Sequence, residues 1–431
     1  MTEVDALGPA PSRPSFLKRL SRGSVSKILL GSLVGQGTVI LSSPALTRLY
    51  SPSDFAALAV VTAVSSVVGS VITLSWERAV VVPRSDAQAR TIVQLGLISV
   101  AAISAVLGLV AYLAQDLLQA MFNSSVFTDF WWLIPATAAT IGLYTVASSS
   151  LVRQQKYGRL ALRNATVGVS QTISSITLGI FGLTPLGLIS SIGVGRLAAV
   201  LGMLPWSRRH AEESSPGILR TASEYRKFPL VNTWSRLLNS LGLQLPVILI
   251  VALFGSPEAG LYALTLRVLA SPVSIVSDAV SQYFEGTFAL RRRQEQGGLR
   301  AIVLRLSKTL ALVGAIPTVV ILIFAPPLFS FVFGTEWADA GVYAQALVVG
   351  YYAQLVVSPV SRALVILGRQ GTQLAWDACR LVAMTGVVIV SAALGTDFML
   401  CALLLAAVQV VAYSALFALT VRASRRADAG N

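Results

Sequence analysis

Histidine occurs once and cysteine twice in these 431 residues, and charged side chains make up only 12% of the chain. The single histidine, His210, lies in a polar stretch with no second ligand candidate beside it, a pattern that argues against zinc chemistry and histidine-based catalysis. Cys379 and Cys401 both fall in apolar stretches, so neither a disulfide framework nor a metal cluster is indicated and core packing is the simpler role. No Gly-x-x-x-x-Gly-Lys-Ser/Thr run is present, which excludes an ATP-driven pump contained in this chain alone. No cofactor is implied. The scarcity of charge is the most telling of these deficits, because a soluble domain carries roughly a quarter charged residues.

Apolar residues fill the space that charge leaves: 55% of the chain is hydrophobic. A bilayer core about 30 Å thick is crossed by about 20 consecutive apolar residues in a helix. Ile28 to Thr47, Phe55 to Trp76, Thr91 to Gln115, Phe130 to Val152, Thr309 to Gly334, Ala340 to Ser361 and Phe398 to Val421 contain no Asp, Glu, Lys or Arg. The first of these is too long for a signal-peptide core and is followed by further spans, so it is expected to stay in the mature protein. Gly182 to Pro185 divides a fifth helix starting near Asn164 from a sixth ending near Leu204. Trp234 to Phe254, Ala259 to Phe284 and Thr372 to Leu394 supply the seventh, eighth and eleventh helices. The expectation is an all-α, polytopic membrane protein of about twelve transmembrane helices.

An even number of spans puts both ends on one side, and the basic residues choose the side. Alternate loops carry Arg13, Lys18, Arg19, Arg22 and Lys27; Arg78, Arg84 and Arg90; Arg153, Lys156, Arg159 and Arg163; Arg208, Arg209, Arg220, Arg226 and Lys227; Arg291 to Arg293, Arg300, Arg305 and Lys308; Arg369; and Arg422, Arg425 and Arg426. The opposite loops have Arg48 beside Asp54, Asp116, Asp129, Glu258, Glu336, Asp339 and Asp397. Both termini are therefore expected in the cytoplasm, and the net charge of +14 is a topology signal rather than a nucleic-acid footprint. Phe16 to Leu20 and Ala289 to Leu306 mix bulky apolar with basic residues in the manner of interfacial helices on an anionic leaflet. The polar stretch with Glu212-Glu213-Ser214-Ser215-Pro216-Gly217 falls mid-chain. The organisation read from this is a basic segment (1–26), a first lobe (27–204), a connecting loop (205–229), a second lobe (230–421) and a tail (422–431).

One hairpin recurs between the halves. Leu49-Tyr50-Ser51-Pro52-Ser53-Asp54-Phe55 and Phe254-Gly255-Ser256-Pro257-Glu258-Ala259-Gly260 are both Ser-Pro-acidic turns, in which proline sets the first turn of the next helix and the carboxylate favours its positive end. The first of these turns, within Leu46-Thr47-Arg48-Leu49-Tyr50-Ser51-Pro52-Ser53-Asp54-Phe55, is joined by Glu77-Arg78-Ala79-Val80-Val81-Val82-Pro83-Arg84-Ser85-Asp86 and by Gly260-Leu261-Tyr262-Ala263-Leu264-Thr265-Leu266-Arg267-Val268-Leu269-Ala270-Ser271-Pro272. On these segments the chain resembles the polysaccharide transporter (Wzx-type O-antigen flippase) family of the multidrug/oligosaccharidyl-lipid/polysaccharide exporter superfamily. Ala56 departs from the glycine that many relatives carry after the Asp-Phe pair, a difference expected to touch only helix packing. The resemblance implies two six-helix bundles around a central cavity, alternating access, and a polyprenyl-pyrophosphate-linked oligosaccharide as cargo in the bacterial inner membrane. The polymer served could be lipopolysaccharide O-antigen, capsule, exopolysaccharide or a teichuronic-type polymer.

Charge inside a span marks a pathway or a structural contact, and five arginines qualify: Arg196, Arg236, Arg267, Arg362 and Arg380. A guanidinium meets phosphate oxygens with two parallel hydrogen bonds, which suits a pyrophosphate head group; the alternative is that each satisfies carbonyls or a carboxylate at a helix contact. Asp278 and Asp377 are the candidates for a coupling proton or sodium ion, with Asp278 eleven residues beyond Arg267 and so on the same helix face, where anchoring a nearby arginine is the equal alternative. Asp377 and Arg380 are three apart, the spacing of a local neutralising pair. Gln36, Gln171, Asn239, Gln244, Tyr351 and Gln354 are polar groups at span centres, fit either to hold sugar or to bind helix to helix. Pro44, Pro246, Pro272 and Pro359 lie in or near span interiors and permit bends. Trp131 and Trp132 read as interface anchors. Expected partners are the lipid-linked oligosaccharide, membrane lipids and a polysaccharide polymerase. A drug or metabolite exporter and a membrane enzyme acting on lipid-linked sugars are the competing readings, the second disfavoured by the short acidic-side loops.

Overall fold

The computed structural model describes residues 24–429 apart from 84, 123, 155, 204–216, 227 and 294–296. Phe16 to Leu20, His210 and most of the connecting loop lie outside the described residues, as does the side chain of Asn239.

Twelve helices of sixteen residues or more account for the fold among the described residues. They are α1 (Ser24–Leu41), α2 (Pro52–Val71), α3 (Asp86–Leu113), α4 (Leu133–Arg153), α5 (Tyr157–Ile180), α6 (Leu186–Leu201), α7 (Thr233–Phe254), α8 (Ser256–Arg293), α9 (Leu299–Phe333), α10 (Ala338–Ile366), α11 (Gln370–Ala393) and α12 (Phe398–Ala429). Eight of them, α2, α3 and α7 to α12, are long and apolar enough over their described residues to cross a bilayer. The other four are shorter or carry more Ser, Thr, Asn and Gln, and three of those, α1, α4 and α5, turn out to line a cavity. Large side chains such as Leu312, Ile316, Phe331 and Leu394 are left exposed, as a lipid-facing surface requires.

Packing partners repeat with a period of six helices. In the first half α1 packs on α5, α2 on α4, α3 on α4, α4 on α6 and α5 on α6; in the second, α7 packs on α11, α8 on α10, α9 on α10, α10 on α12 and α11 on α12. The two halves are thus two copies of one six-helix bundle, and they meet where α2 lies against α7 and α8. Small residues set the closest approaches, as they must where lipid supplies no hydrophobic drive between helices. A Cβ on Gly35 would stand 2.2 Å from the Asn164 carbonyl oxygen, and one on Gly168 would stand 2.0 Å from that of Gly35, so α1 and α5 cross backbone on backbone.

Local chemistry explains where the helices stop. Ser51 and Asp54 form a reciprocal capping box that starts α2. Gly182, with φ +73°, separates α5 from α6 where the sequence placed the break. Helix α1 ends at Leu41, and a short helix, Ser43–Leu49, follows with Pro44 in its first turn, so the Pro44 bend is a true break. Tyr50 then plugs the fold by donating its hydroxyl to the Ser175 carbonyl at 2.7 Å. Burial, with Asp54 nearby, pushes that hydroxyl up to about 12, so it remains a donor throughout the physiological range.

One element differs from expectation. Ala289 to Leu306 is not a separate interfacial helix: α8 runs on to Arg293 and α9 starts at Leu299, so both spans project beyond the apolar region. The Asp428 carboxylate accepts from the Leu299 and Arg300 amides at 2.9 and 3.0 Å, which fixes the start of α9 more firmly than a leaflet contact would.

Candidate functional site

A cavity of about 290 Å³ opens between the halves, lined by Ser32, Gly35, Gln36, Val39 and Ile40 of α1, Tyr144 of α4, Asn164, Val167, Gly168 and Gln171 of α5, and Arg267 and Ser271 of α8. The α1 residues 32, 35, 36 and 39 and the α5 residues 164, 167, 168 and 171 are each one helical face, spaced i, i+3, i+4, i+7. The glycines in both faces bring the two helices together and leave the amides and hydroxyls projecting from the seam.

Arg267 is the only charged residue in this lining. Its Nη2 donates at 2.6 Å to the carbonyl of Val39 in the opposite half. That carbonyl is free of its usual helical partner because α1 breaks just beyond it, and it also accepts from Ser42 Oγ at 2.9 Å and Ser43 Oγ at 3.4 Å. Nε of Arg267 is buried with no hydrogen-bond partner among the described residues. A buried guanidinium with an unused donor beside this cavity has the geometry and charge to donate to an anionic oxygen.

Across the cavity a network holds the amides. Tyr144 Oη donates to Asn164 Oδ1 at 3.1 Å, Arg163 Nε donates to the same oxygen at 3.0 Å, and Asn164 Nδ2 donates to Ser32 Oγ at 2.7 Å. The Arg163 guanidinium also lies 4.6 Å from the centre of the Tyr144 ring.

Among the residues singled out in the sequence, Arg267, Gln36 and Gln171 are brought together here. Arg196 donates to the Ile192 carbonyl of its own helix at 3.0 Å, one residue from the point where Gly195 seats α6 against Val167 and Gln171 of the cavity wall. Arg236 is ion-paired with Glu77 of the first half, and Glu77 also accepts from Thr73 Oγ1 at 2.5 Å. Arg362 faces Glu285 at 3.4 Å on an exposed surface. Arg380 lies 5.1 Å from the centre of the Trp376 ring, and Asp377 accepts from Gln373 at 3.4 Å; the two do not form the ion pair their spacing allowed, because the aromatic face one turn back takes the cation instead. Asp278 is exposed on α8, Tyr351 is buried in the core of the second half, and Gln244 and Gln354 are half-buried outside this lining. Ser32, Tyr144, Asn164 and Ser271 also line the cavity, and Arg163, a basic loop residue in the sequence, bonds to Asn164 of its wall. The glycine spacing Gly31-x-x-x-Gly35 on α1 was the available signal, since it marks the face that meets another helix.

Contacts between the halves occur at both ends. At the end carrying the acidic loops, Trp337 Nε1 donates to the Thr47 carbonyl at 3.0 Å and its ring meets Phe55 edge-on at 4.9 Å. Gly260 there sits so close to Pro52 that a Cβ would stand 1.8 Å from the Pro52 oxygen. At the basic end, besides Glu77 and Arg236, the buried hydroxyls of Ser75 and Thr233 lie 3.3 Å apart, and Gln88 Nε2 donates at 2.8 Å to Glu224 of the connecting loop. Leu74 and Ser75 take φ of +48° and +58°, a left-handed turn that aims Ser75 at the opposite half. Arg153 braces the same loop, bonding Asp86 at 2.9 Å and the Val80 and Pro83 carbonyls at 2.9 and 2.7 Å.

Two repeated six-helix bundles with a cavity of mixed polar and apolar lining between them have the architecture of a membrane transporter. Residues 45–342 match the family described as polysaccharide biosynthesis protein, and the chain belongs to it. A relative is the teichuronic acid biosynthesis protein TuaB of Bacillus subtilis strain 168, 28% identical over 160 residues, which are 37% of this chain and 33% of that protein. The match thus spans about a third of that relative's length. Among solved structures, the inward closed conformation of the lipid II flippase MurJ superposes with a TM-score of 0.70 at 12% identity over 95% of this chain and 90% of that one. An inward-facing multidrug resistance MATE transporter gives 0.62 at 15% identity over 94% and 96%, and a transporter of the MOP superfamily from Pyrococcus furiosus gives 0.59 at 14% over 96% and 100%. These likenesses establish the shared fold.

Proposed function

We propose that this protein moves a polyprenyl-pyrophosphate-linked oligosaccharide from the cytoplasmic to the outer leaflet of a bacterial inner membrane, for assembly of a surface polysaccharide. The observation that carries the reading is Arg267, whose buried, unpartnered Nε adjoins a cavity that combines amides and hydroxyls with glycines and the apolar Val39, Ile40 and Val167. Phosphate oxygens fit the guanidinium, and Gln36 and Gln171 offer the donors and acceptors that sugar hydroxyls need, while Asn164 is held by Tyr144, Arg163 and Ser32. A volume of about 290 Å³ is near the lower bound for a small-molecule pocket and accommodates a head group rather than a whole oligosaccharide, so transport requires the halves to separate.

In this reading the lobes are 27–204 and 230–421, joined by 205–229, with both termini in the cytoplasm as the distribution of basic loops dictates. Asp278, about three turns along α8 from Arg267, and Asp377 are the carboxylates assigned to a coupling proton or sodium ion. The TuaB likeness supports a cell-wall polymer as the product served, and a polymerase would take the delivered units. The competing reading, export of a cationic drug, is supported by the fold shared with multidrug transporters but opposed by a described lining that holds an arginine and no carboxylate.

Reconstitution decides between them. Proteoliposomes containing a fluorescent polyprenyl-pyrophosphate glycan are expected to show protein-dependent exchange between leaflets; efflux of cationic dyes without movement of that lipid would replace the proposal with drug export.

A further inference from the structure

A second cavity, of about 190 Å³, lies among α10, α11 and α12 in the second half, lined by Leu364, Arg369, Thr372, Leu419, Arg422, Ala423 and Arg426. Three of these seven residues are arginines, and among the described residues none of the three has an ion-pair partner. The nearest carboxylate along α12, Asp428, is already committed to the Leu299 and Arg300 amides. Arg369 is the N-cap of α11 and Thr372 lies in its first turn, with no side chain capping the helix, so the positive end of a 24-residue helix adds to the three guanidinium charges.

The opposite wall is apolar and continues into the membrane. Leu364 and Leu419 line the cavity itself, and Val411, Ala415 and Ala418 fall on the same face of α12 as Arg422 and are exposed along it. Positive charge at the mouth and an uncovered apolar strip below is the chemistry of a phospholipid: phosphate at the arginines, acyl chain along α12. Arg369 comes from the connection between α10 and α11 and Arg422 and Arg426 from successive turns of α12, so the three guanidinium groups reach one cavity from two elements.

We propose that Arg369, Arg422 and Arg426 form a binding site for the phosphate head group of an anionic membrane lipid, separate from the cavity that holds Arg267. The arginines act as bidentate phosphate ligands, Thr372 supplies a hydroxyl, and α12 bears the chain.

Native mass spectrometry and thermal unfolding of the detergent-purified protein, titrated with dioleoyl-phosphatidylglycerol, dioleoyl-phosphatidylcholine or inorganic phosphate, test this. Phosphatidylglycerol is expected to stay bound and to raise the unfolding midpoint, and phosphatidylcholine and inorganic phosphate to do neither. The triple variant Arg369→Gln, Arg422→Gln, Arg426→Gln should weaken phosphatidylglycerol at least about tenfold. Should that variant fail to fold, Arg422→Gln alone should still weaken it several-fold. A control with Arg78, Arg305 and Lys308 changed to Gln removes the same charge and should bind as the parent does. Equal lipid affinity in the parent and either site variant, equal loss in the control, or protection by inorganic phosphate matching that of the lipid would each overturn the proposal.

Discussion

Arg267→Ala separates a binding role from a structural one, because the two effects on stability oppose each other. The substitution loses the charge-assisted bond from Nη2 to the Val39 carbonyl, worth about 1.5–3 kcal/mol, and removes a buried donor without a partner, which relieves about 1–3 kcal/mol. The net change in folding stability is therefore within about 1–2 kcal/mol, and the variant should insert and purify as the parent does. Recognition has no such offset: an anion that used the freed guanidinium loses about 1.5–3 kcal/mol, or about 10- to 150-fold in affinity. Arg267→Lys retains the charge but not the planar fork, and should fall between parent and alanine. The assay is leaflet exchange of a fluorescent lipid-linked glycan in proteoliposomes, with thermal unfolding measured on the same preparations. Parent-like exchange by Arg267→Ala would refute the assignment, and so would destabilisation beyond about 3 kcal/mol, which would make the arginine a structural clasp.

The contacts between the halves make further predictions. Glu77→Gln and Arg236→Gln should each destabilise, and a double-mutant cycle on unfolding should return a coupling of about 2–4 kcal/mol, since both side chains are largely buried; additive effects would mean the pair contributes nothing. Gly260→Ala should hold the acidic end open by about 1–3 kcal/mol, because the new Cβ collides with backbone at Pro52. The measurement is the labelling rate of Ser271→Cys in a background lacking Cys379 and Cys401, expected to rise for a reagent added from that end and to stay unchanged if the collision is absorbed elsewhere. Trp337→Phe keeps the ring against Phe55 but leaves the Thr47 carbonyl without its indole donor, so it should lower stability by about 1–3 kcal/mol; an unchanged unfolding midpoint would show that another donor replaces the indole.

The helix count, the break at Gly182 to Pro185 and the bend at Pro44 were legible because each depends on a local property: run length, a left-handed glycine, a missing N–H. The resemblance segments were legible for a reason that appears only in three dimensions. Thr47, Tyr50 and Phe55, then Glu77, Val80, Pro83 and Asp86, then Gly260 and Arg267 all take part in contacts between the halves or brace the loops that make them. The cavity itself was only partly legible. Gln36, Gln171 and Arg267 stand out as polar residues within apolar runs, but Asn164 and Arg163 sit at the edge of a basic loop, where polarity carries no information. Arg236 and Arg380 stood out just as clearly, yet Arg236 is answered by Glu77, a partner from the other half that spacing along one helix could not identify, and Arg380 stacks on Trp376 outside the cavity while its Nε, like that of Arg267, has no hydrogen-bond partner among the described residues.

The lining of the first cavity is contributed unequally by the two bundles. Ser32, Gln36, Tyr144, Asn164 and Gln171 belong to one, Arg267 and Ser271 to the other. A molecule clasped from both sides feels the full set of bonds only while the bundles are together, and swinging them apart pulls its cation away from its amides. In the proposed transport cycle grip and geometry are thereby tied: a tilt that uncovers an exit also loosens the hold, so departure needs no separate device to pry the passenger free.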